Sequence, residues 1–199
     1  MKKKSRWIHK RIMGFYGTKE GVGCTHLALS VANYLHSVEK WKVLYLEMGK
    51  FSQLYPLMQQ QVVACDDVIL YPYLGVQYLI CPTEKEAMRQ CEKFDGIVII
   101  DFGVWGETFI KLQGICQRNV VLGGIQRWEQ EAYVTYINKN KKRNDMAQME
   151  YYSRQVESWL QVSFYKEHHV WIRPMPQIAN PFELKKKDIV FLEQWLHTK

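Results

Sequence analysis

Residues 18–26 read Thr-Lys-Glu-Gly-Val-Gly-Cys-Thr-His and lead straight into an amphipathic stretch. Glycines at Gly21 and Gly23 let backbone N–H groups turn inward around an anion, and a helix opening behind them adds the positive end of its dipole. The chemistry such a segment serves is phosphate binding. A working loop of this kind ends in Gly-Lys-Thr, where the lysine bridges phosphates and the threonine hydroxyl holds magnesium. Here Thr25 supplies the hydroxyl, but the residue before it is Cys24. A second candidate is Asp101, which closes the apolar run 96–101 (GIVIID) and sits where a metal-linked carboxylate would be useful.

These side chains need strand ends and helix starts to hold them. Residues 12–17 read as a strand and 24–40 as an amphipathic helix with Leu27, Val31, Tyr34 and Leu35 on one face. Residues 43–47 (VLYLE) are a short buried strand, and 68–81 hold one or two strands about a turn at Pro72. Residues 83–94 form a helix capped by Thr83, with Glu86 in the capping-box position. The continuous run 96–101 is a strand buried on both faces. A helix near 107–117, a strand at 119–123 and a helix over 127–141 follow. A weaker helix is expected over 145–157, strands at 158–165 and 169–173, and a terminal helix from about 183 to 197. This rhythm predicts an α/β fold, a mostly parallel sheet with helices on both faces. Ligands on such sheets lie beyond the carboxyl ends of the strands, which singles out the positions just after Gly17, Glu47, Asp101 and Pro174.

With those stations in order, the chain resembles the ParA/MinD/TadZ group of P-loop NTPases. Residues 18–26 are similar to that group's deviant Walker A motif, K-G-G-x-G-K-T. Lys19 matches the signature lysine that reaches across a dimer, and Gly21, Gly23 and Thr25 match as well. Glu20 stands in place of a glycine, and Cys24 in place of the phosphate-binding lysine. Residues 43–52 resemble the second strand end, with Glu47 and Gly49 where the group has two aspartates. Residues 94–103 resemble the Walker B strand. The resemblance implies a nucleotide site of Lys19, Gly21, Val22, Gly23, Cys24, Thr25, His26 and Asp101, with Pro174 and Pro176 lining the adenine. Thr25 and Asp101 would hold magnesium if nucleotide binds.

The substitutions have a cost. Losing a charge-assisted lysine contact removes about 1.5–3 kcal/mol. A Glu20 carboxylate ~5 Å from phosphate would add roughly 3 kcal/mol of repulsion at an effective dielectric of ~20. Together they weaken binding by about three to four decades. Hydrolysis loses more, because Cys24 brings no positive charge and Gly49 cannot position water. The expected cofactor is weakly bound ATP with magnesium, or none. The expected function is a pseudo-ATPase scaffold that positions other machinery through protein contacts or as a homodimer, the alternatives being an active ATPase and a DNA-binding protein. The Cys24 thiol, at a helix start, could also carry a lowered pKa. No His–Asp partner points to catalysis, so it reads as a small residue filling the lysine position.

The 199 residues suit one α/β domain over 11–199, preceded by a basic tail over 1–10. The net charge of +7 comes from that tail, from Lys139, Lys141, Lys142 and Arg143, and from Lys185, Lys186 and Lys187. The middle cluster is a candidate DNA contact. The C-terminal stripe Ile189, Leu192, Trp195 and Leu196, behind three lysines, reads as a helix packed on the sheet, with membrane contact as its alternative. The five cysteines are scattered with no C-x-x-C pair, which argues against a disulfide framework or zinc and fits a reducing cytoplasm, a bacterial one by the resemblance. His168-His169 lacks the company a metal needs.

Overall fold

The computed structural model describes residues 12–49, 52–58, 62–65, 68–106, 109–141 and 149–197. The strands are β1 (Ile12–Gly17), β2 (Val43–Glu47), β3 (Val63–Cys65), β4 (Val68–Tyr73), β5 (Val76–Ile80), β6 (Ile97–Val104), β7 (Arg118–Leu122), β8 (Met149–Ser153) and β9 (Ile172–Pro174). The helices are α1 (Cys24–Ser37), α2 (Tyr55–Met58), α3 (Glu84–Lys93), α4 (Ile110–Ile115), α5 (Gln130–Lys141), α6 (Ser158–His168) and α7 (Lys186–His197). Among the described residues the strands form one sheet in the order β3-β4-β5-β2-β6-β1-β7-β8-β9. β1 lies between β6 and β7, parallel to both, and only the β3–β4 and β4–β5 pairings are antiparallel.

Alternation on the central strands builds two cores. Met13 and Phe15 of β1, Val43 and Tyr45 of β2, and Ile97 and Ile99 of β6 face a cluster closed by α1 and α7. Their neighbours Ile12, Tyr16, Leu44, Leu46, Val98 and Ile100 face a second cluster, closed by α3, α4, α5 and α6. A strand covered on both faces has no solvent side to make polar, which is why GIVIID runs without a break. The Thr83 cap is realised: its hydroxyl accepts from Glu86 N at 3.3 Å, and Glu86 Oε2 accepts from Thr83 N at 2.8 Å. That backbone bond, with the Thr83 hydroxyl, holds the Glu86 carboxyl below its ordinary value.

Three expectations of local structure need correction. Residues 149–153 are strand β8, not helix, because Asn119–Leu122 of β7 offers them a parallel ladder. Residues 158–168 are helix α6, not strand. Their aromatic and β-branched content suggests a strand, but Leu160, Phe164 and His168 fall at four-residue spacing and are buried on one side. The turn between β4 and β5 is Leu74-Gly75, both at positive φ, while Pro72 stays inside β4 opposite Gln77. β4 also has β3 on its far side, a strand not anticipated, as α2 was not.

The C-terminal helix settles onto α1 with Leu192, Trp195 and Leu196 buried and Ile189 packed against the same cluster. The stripe that membrane contact would use is turned inward. No helix among the described residues is long and apolar enough to cross a membrane. The basic tail 1–10 and the residues Lys142 and Arg143 lie outside the described residues; Lys139 stands over the Trp105 ring at 5.2 Å.

Candidate functional site

The loop after β1 is anchored before it turns. Thr18 N donates to Leu122 O at 2.8 Å, and Trp105 N to Gly17 O at 2.7 Å. Gly21 and Gly23 then take φ of 75° and 94°, and α1 begins at Cys24 with no side-chain cap on its N-terminus. The first amides of a helix have no partner inside it, so they remain available to a ligand. The loop residues expected at the site converge on one open cleft of about 480 Å³: Lys19, Gly21, Val22, Gly23, Cys24, Thr25 and His26. Glu20, Gln53, Gly103, Val104 and Arg154 complete its walls. His26 is already engaged, its Nε2 lying 2.7 Å from Ile178 O.

Asp101 is expected here and is placed differently. It is 1% exposed and lies beneath the cleft rather than in its wall. Its Oδ1 accepts from Cys24 Sγ at 3.2 Å and from Gly103 N at 2.9 Å, and its Oδ2 from the Tyr45 hydroxyl at 2.9 Å. The thiol at the edge of the cleft is thus directed onto the carboxylate. Burial, followed by the Asp101 charge, pushes the Cys24 thiol well above its ordinary value, and the same two causes raise Tyr45. The helix-start position does not produce a reactive thiolate. In a native-state alkylation experiment read by peptide mass, Cys24 is expected to stay unmodified while half-buried Cys81 reacts. Labelling of Cys24 at the Cys81 rate would contradict this geometry.

Glu47 is also buried at its strand end, where Ser52 Oγ and Gln53 N (3.2 Å) donate to its carboxylate. Burial outweighs these bonds and raises its pKa. Gly49 lies beyond it, exposed, with no side chain to hold water. Lys19 is bound within its own chain: its Nζ meets Glu129 Oε2 at 2.8 Å. Pro174 and Pro176 do not line the cleft. Pro174 is exposed at the end of β9 and Pro176 is buried, while Met175 between them reaches the loop, 3.0 Å from where a Cβ on Gly23 would stand.

Sequence reasoning missed Arg154, Glu129 and Gln53. Arg154 follows the carboxyl end of β8, the kind of position that carries ligands, and it was hidden because β8 reads as helix. Glu129 and Gln53 carry no local signal, since each is brought in by the tertiary fold.

The donor set can be tested against the groups the fold implies. A phosphate fits: two left-handed glycines, a free helix start and the Arg154 guanidinium face one cleft. Magnesium fits poorly, because three donors already occupy the Asp101 carboxylate and one is the thiol at the lysine position. Among the described residues no group of three or more His, Cys, Asp or Glu is arranged to hold a metal ion.

Sheet order, the loop after β1 and the cleft above it define a ParA/MinD-like P-loop NTPase fold. Comparison with solved structures agrees. A ParA family ATPase from Chlorobium tepidum TLS matches with TM-score 0.73 at 14% identity, covering 95% of this chain and 100% of that one. A chain of the MinC:MinD cell division protein complex from Aquifex aeolicus matches with TM-score 0.66 at 13% identity, covering 95% of this chain and 97% of that one. Cobyrinic acid a,c-diamide synthase from Mycobacterium smegmatis, with bound ADP and magnesium, matches with TM-score 0.58 at 14% identity over 95% and 96%. No family model and no curated protein matches the sequence.

Proposed function

We propose that this chain uses the ParA/MinD-like fold as a recognition scaffold, binding nucleotide weakly and not hydrolysing it. The observation that carries the reading is the buried hydrogen bond from Cys24 Sγ to Asp101. One substitution removes the cation that neutralises transferring phosphate and seats a neutral donor on the carboxylate that would serve magnesium. Lys19, the other cation of the motif, is held by Glu129 in the same chain. A scaffold needs a surface, and Trp128, Trp159 and Trp171 are 82%, 60% and 49% exposed. A protein partner or a second copy of the chain is the expected binder, in the cytoplasm.

The test is a phosphate-release assay with calorimetry. ATP with magnesium is expected to bind more weakly than about 100 μM, following the three to four decades lost with the lysine and the Glu20 repulsion. Phosphate release is expected at the no-protein background. Turnover above background that disappears in Lys19→Ala would overturn the reading in favour of an ATPase.

A further inference from the structure

The cleft over the loop has lost one cation and holds another. Arg154 extends from the end of β8 and lays its guanidinium directly on the loop. A Cβ built on Gly23 would stand 2.6 Å from one terminal nitrogen and 3.0 Å from Nε. Gly23 is required by its φ of 94°, and the guanidinium lies close against it. The same guanidinium borders an adjoining hollow of about 400 Å³ that runs past Lys19 and Gly124 to Trp128. Among the described residues no carboxylate pairs with Arg154, whereas Lys19 is engaged by Glu129 at 2.8 Å. Arg154 is thus the cation the cleft can offer to an anion without first breaking an ion pair.

We propose that Arg154 is the phosphate-binding cation of this site, standing in for the ammonium that Cys24 lacks. Its ligand is the polyphosphate group of a nucleoside di- or triphosphate or of an inorganic polyphosphate, held without magnesium. A planar guanidinium offers five donors in a fork that matches phosphate oxygens, and it brings its own charge. The left-handed glycines and the uncapped start of α1 face the same space. Magnesium is expected to add little, because Asp101 is buried beneath the cleft and already accepts from Cys24, Tyr45 and Gly103. The proposal rests on reading the loop as a phosphate cradle, and not on whether the protein turns ATP over.

The experiment is calorimetric titration of the full chain with inorganic tripolyphosphate and, separately, with ATP, each in EDTA and in magnesium. Wild type is expected to bind at least as well in EDTA as in magnesium. Arg154→Gln should weaken binding by about tenfold or more, the worth of a charge-assisted phosphate contact, and Arg154→Lys should fall between. Equal affinity for the two ligands assigns recognition to the phosphates alone, and tighter ATP binding that keeps the Arg154 dependence assigns it to a nucleotide. Arg154 is exposed, so the variants should melt with the wild type. Equal binding by wild type and Arg154→Gln overturns the proposal, as does binding that needs magnesium or an absence of binding by wild type. Phosphate release is read in a separate assay, so failure of the scaffold reading and failure of the Arg154 role are told apart.

Discussion

Trp195→Ala is expected to lower the unfolding free energy by about 3–5 kcal/mol, as other large-to-small core changes do. For a chain of this size that is a fall in melting temperature of roughly 6–20 °C. Trp195 is 7% exposed and packs into the core that α1 and α7 share. The Tyr152 ring meets it edge-on at 5.7 Å, and the Arg118 guanidinium stands 4.1 Å above it. Alanine would remove the ring from both contacts and leave a cavity between helix and sheet. Trp195→Phe, which keeps an aromatic face and deletes an indole N–H with no partner among the described residues, should cost less. Co-sedimentation with anionic vesicles should be the same for wild type and Trp195→Ala. An unchanged melting temperature would return the stripe to the surface and revive the membrane alternative.

Arg118→Met is expected to be next in size, at about 3 kcal/mol, the lower end of the range for breaking one side of a buried ion pair. Arg118 is 2% exposed and grips Glu150 with two bonds, Nε to Oε1 at 2.6 Å and a terminal nitrogen to Oε2 at 2.8 Å. Glu150 keeps the Tyr152 hydroxyl at 2.7 Å and Arg173 at 3.4 Å, and it is 21% exposed, which tempers the loss. The double change Arg118→Met with Glu150→Gln should recover part of it, because no unpaired charge then remains.

The pH dependence follows from the same pair. Burial by itself would raise the Glu150 carboxyl, but the hydrogen bond and charge of Arg118, with help from Tyr152 and Arg173, hold it below its ordinary value. A carboxyl lowered by folding contributes stability that is present above its unfolded pKa and lost as pH falls through its folded one. Wild type should therefore lose this contribution below about pH 4, the ordinary carboxylate range, and denaturant melts of Arg118→Met should show a shallower acid limb. Glu47 has the opposite sign. Burial raises its pKa, so its contribution is greatest at low pH and declines as pH rises through the raised value. An acid limb of equal depth in wild type and variant would show that Glu150 does not carry it.

Much of the site was legible because its chemistry is local. The glycines of the loop, the threonine and the following helix lie within a few residues, and the structure brings all seven expected loop residues to one cleft. The Thr83–Glu86 cap was readable for the same reason, since its geometry is complete in four residues. Failures came where local pattern and long-range pairing disagree. MEYYS becomes a strand through the ladder offered by β7, and SWLQVSFYKEH becomes a helix because one side of it is buried against the sheet. Reading β8 as helix hid Arg154, and Pro174 and Pro176, which the resemblance placed against adenine, do not line the cleft although their strand lies close to where it was expected.

The sequence by itself determined that a parallel sheet would carry a glycine loop at the end of its first strand, and that Cys24 would replace a cation there. Periodicity and the order of residues 18–26, set beside the motif they resemble, suffice for this, because backbone freedom, helix dipole and the missing charge are properties of consecutive residues. Only the tertiary structure decided what the replacements do. It turned the Cys24 thiol onto Asp101, bound Lys19 to Glu129 across 110 positions of chain, and set Arg154 over Gly23. Such contacts depend on which strands become neighbours. That is fixed by burying both faces of the whole sheet at once, and no segment carries that information alone.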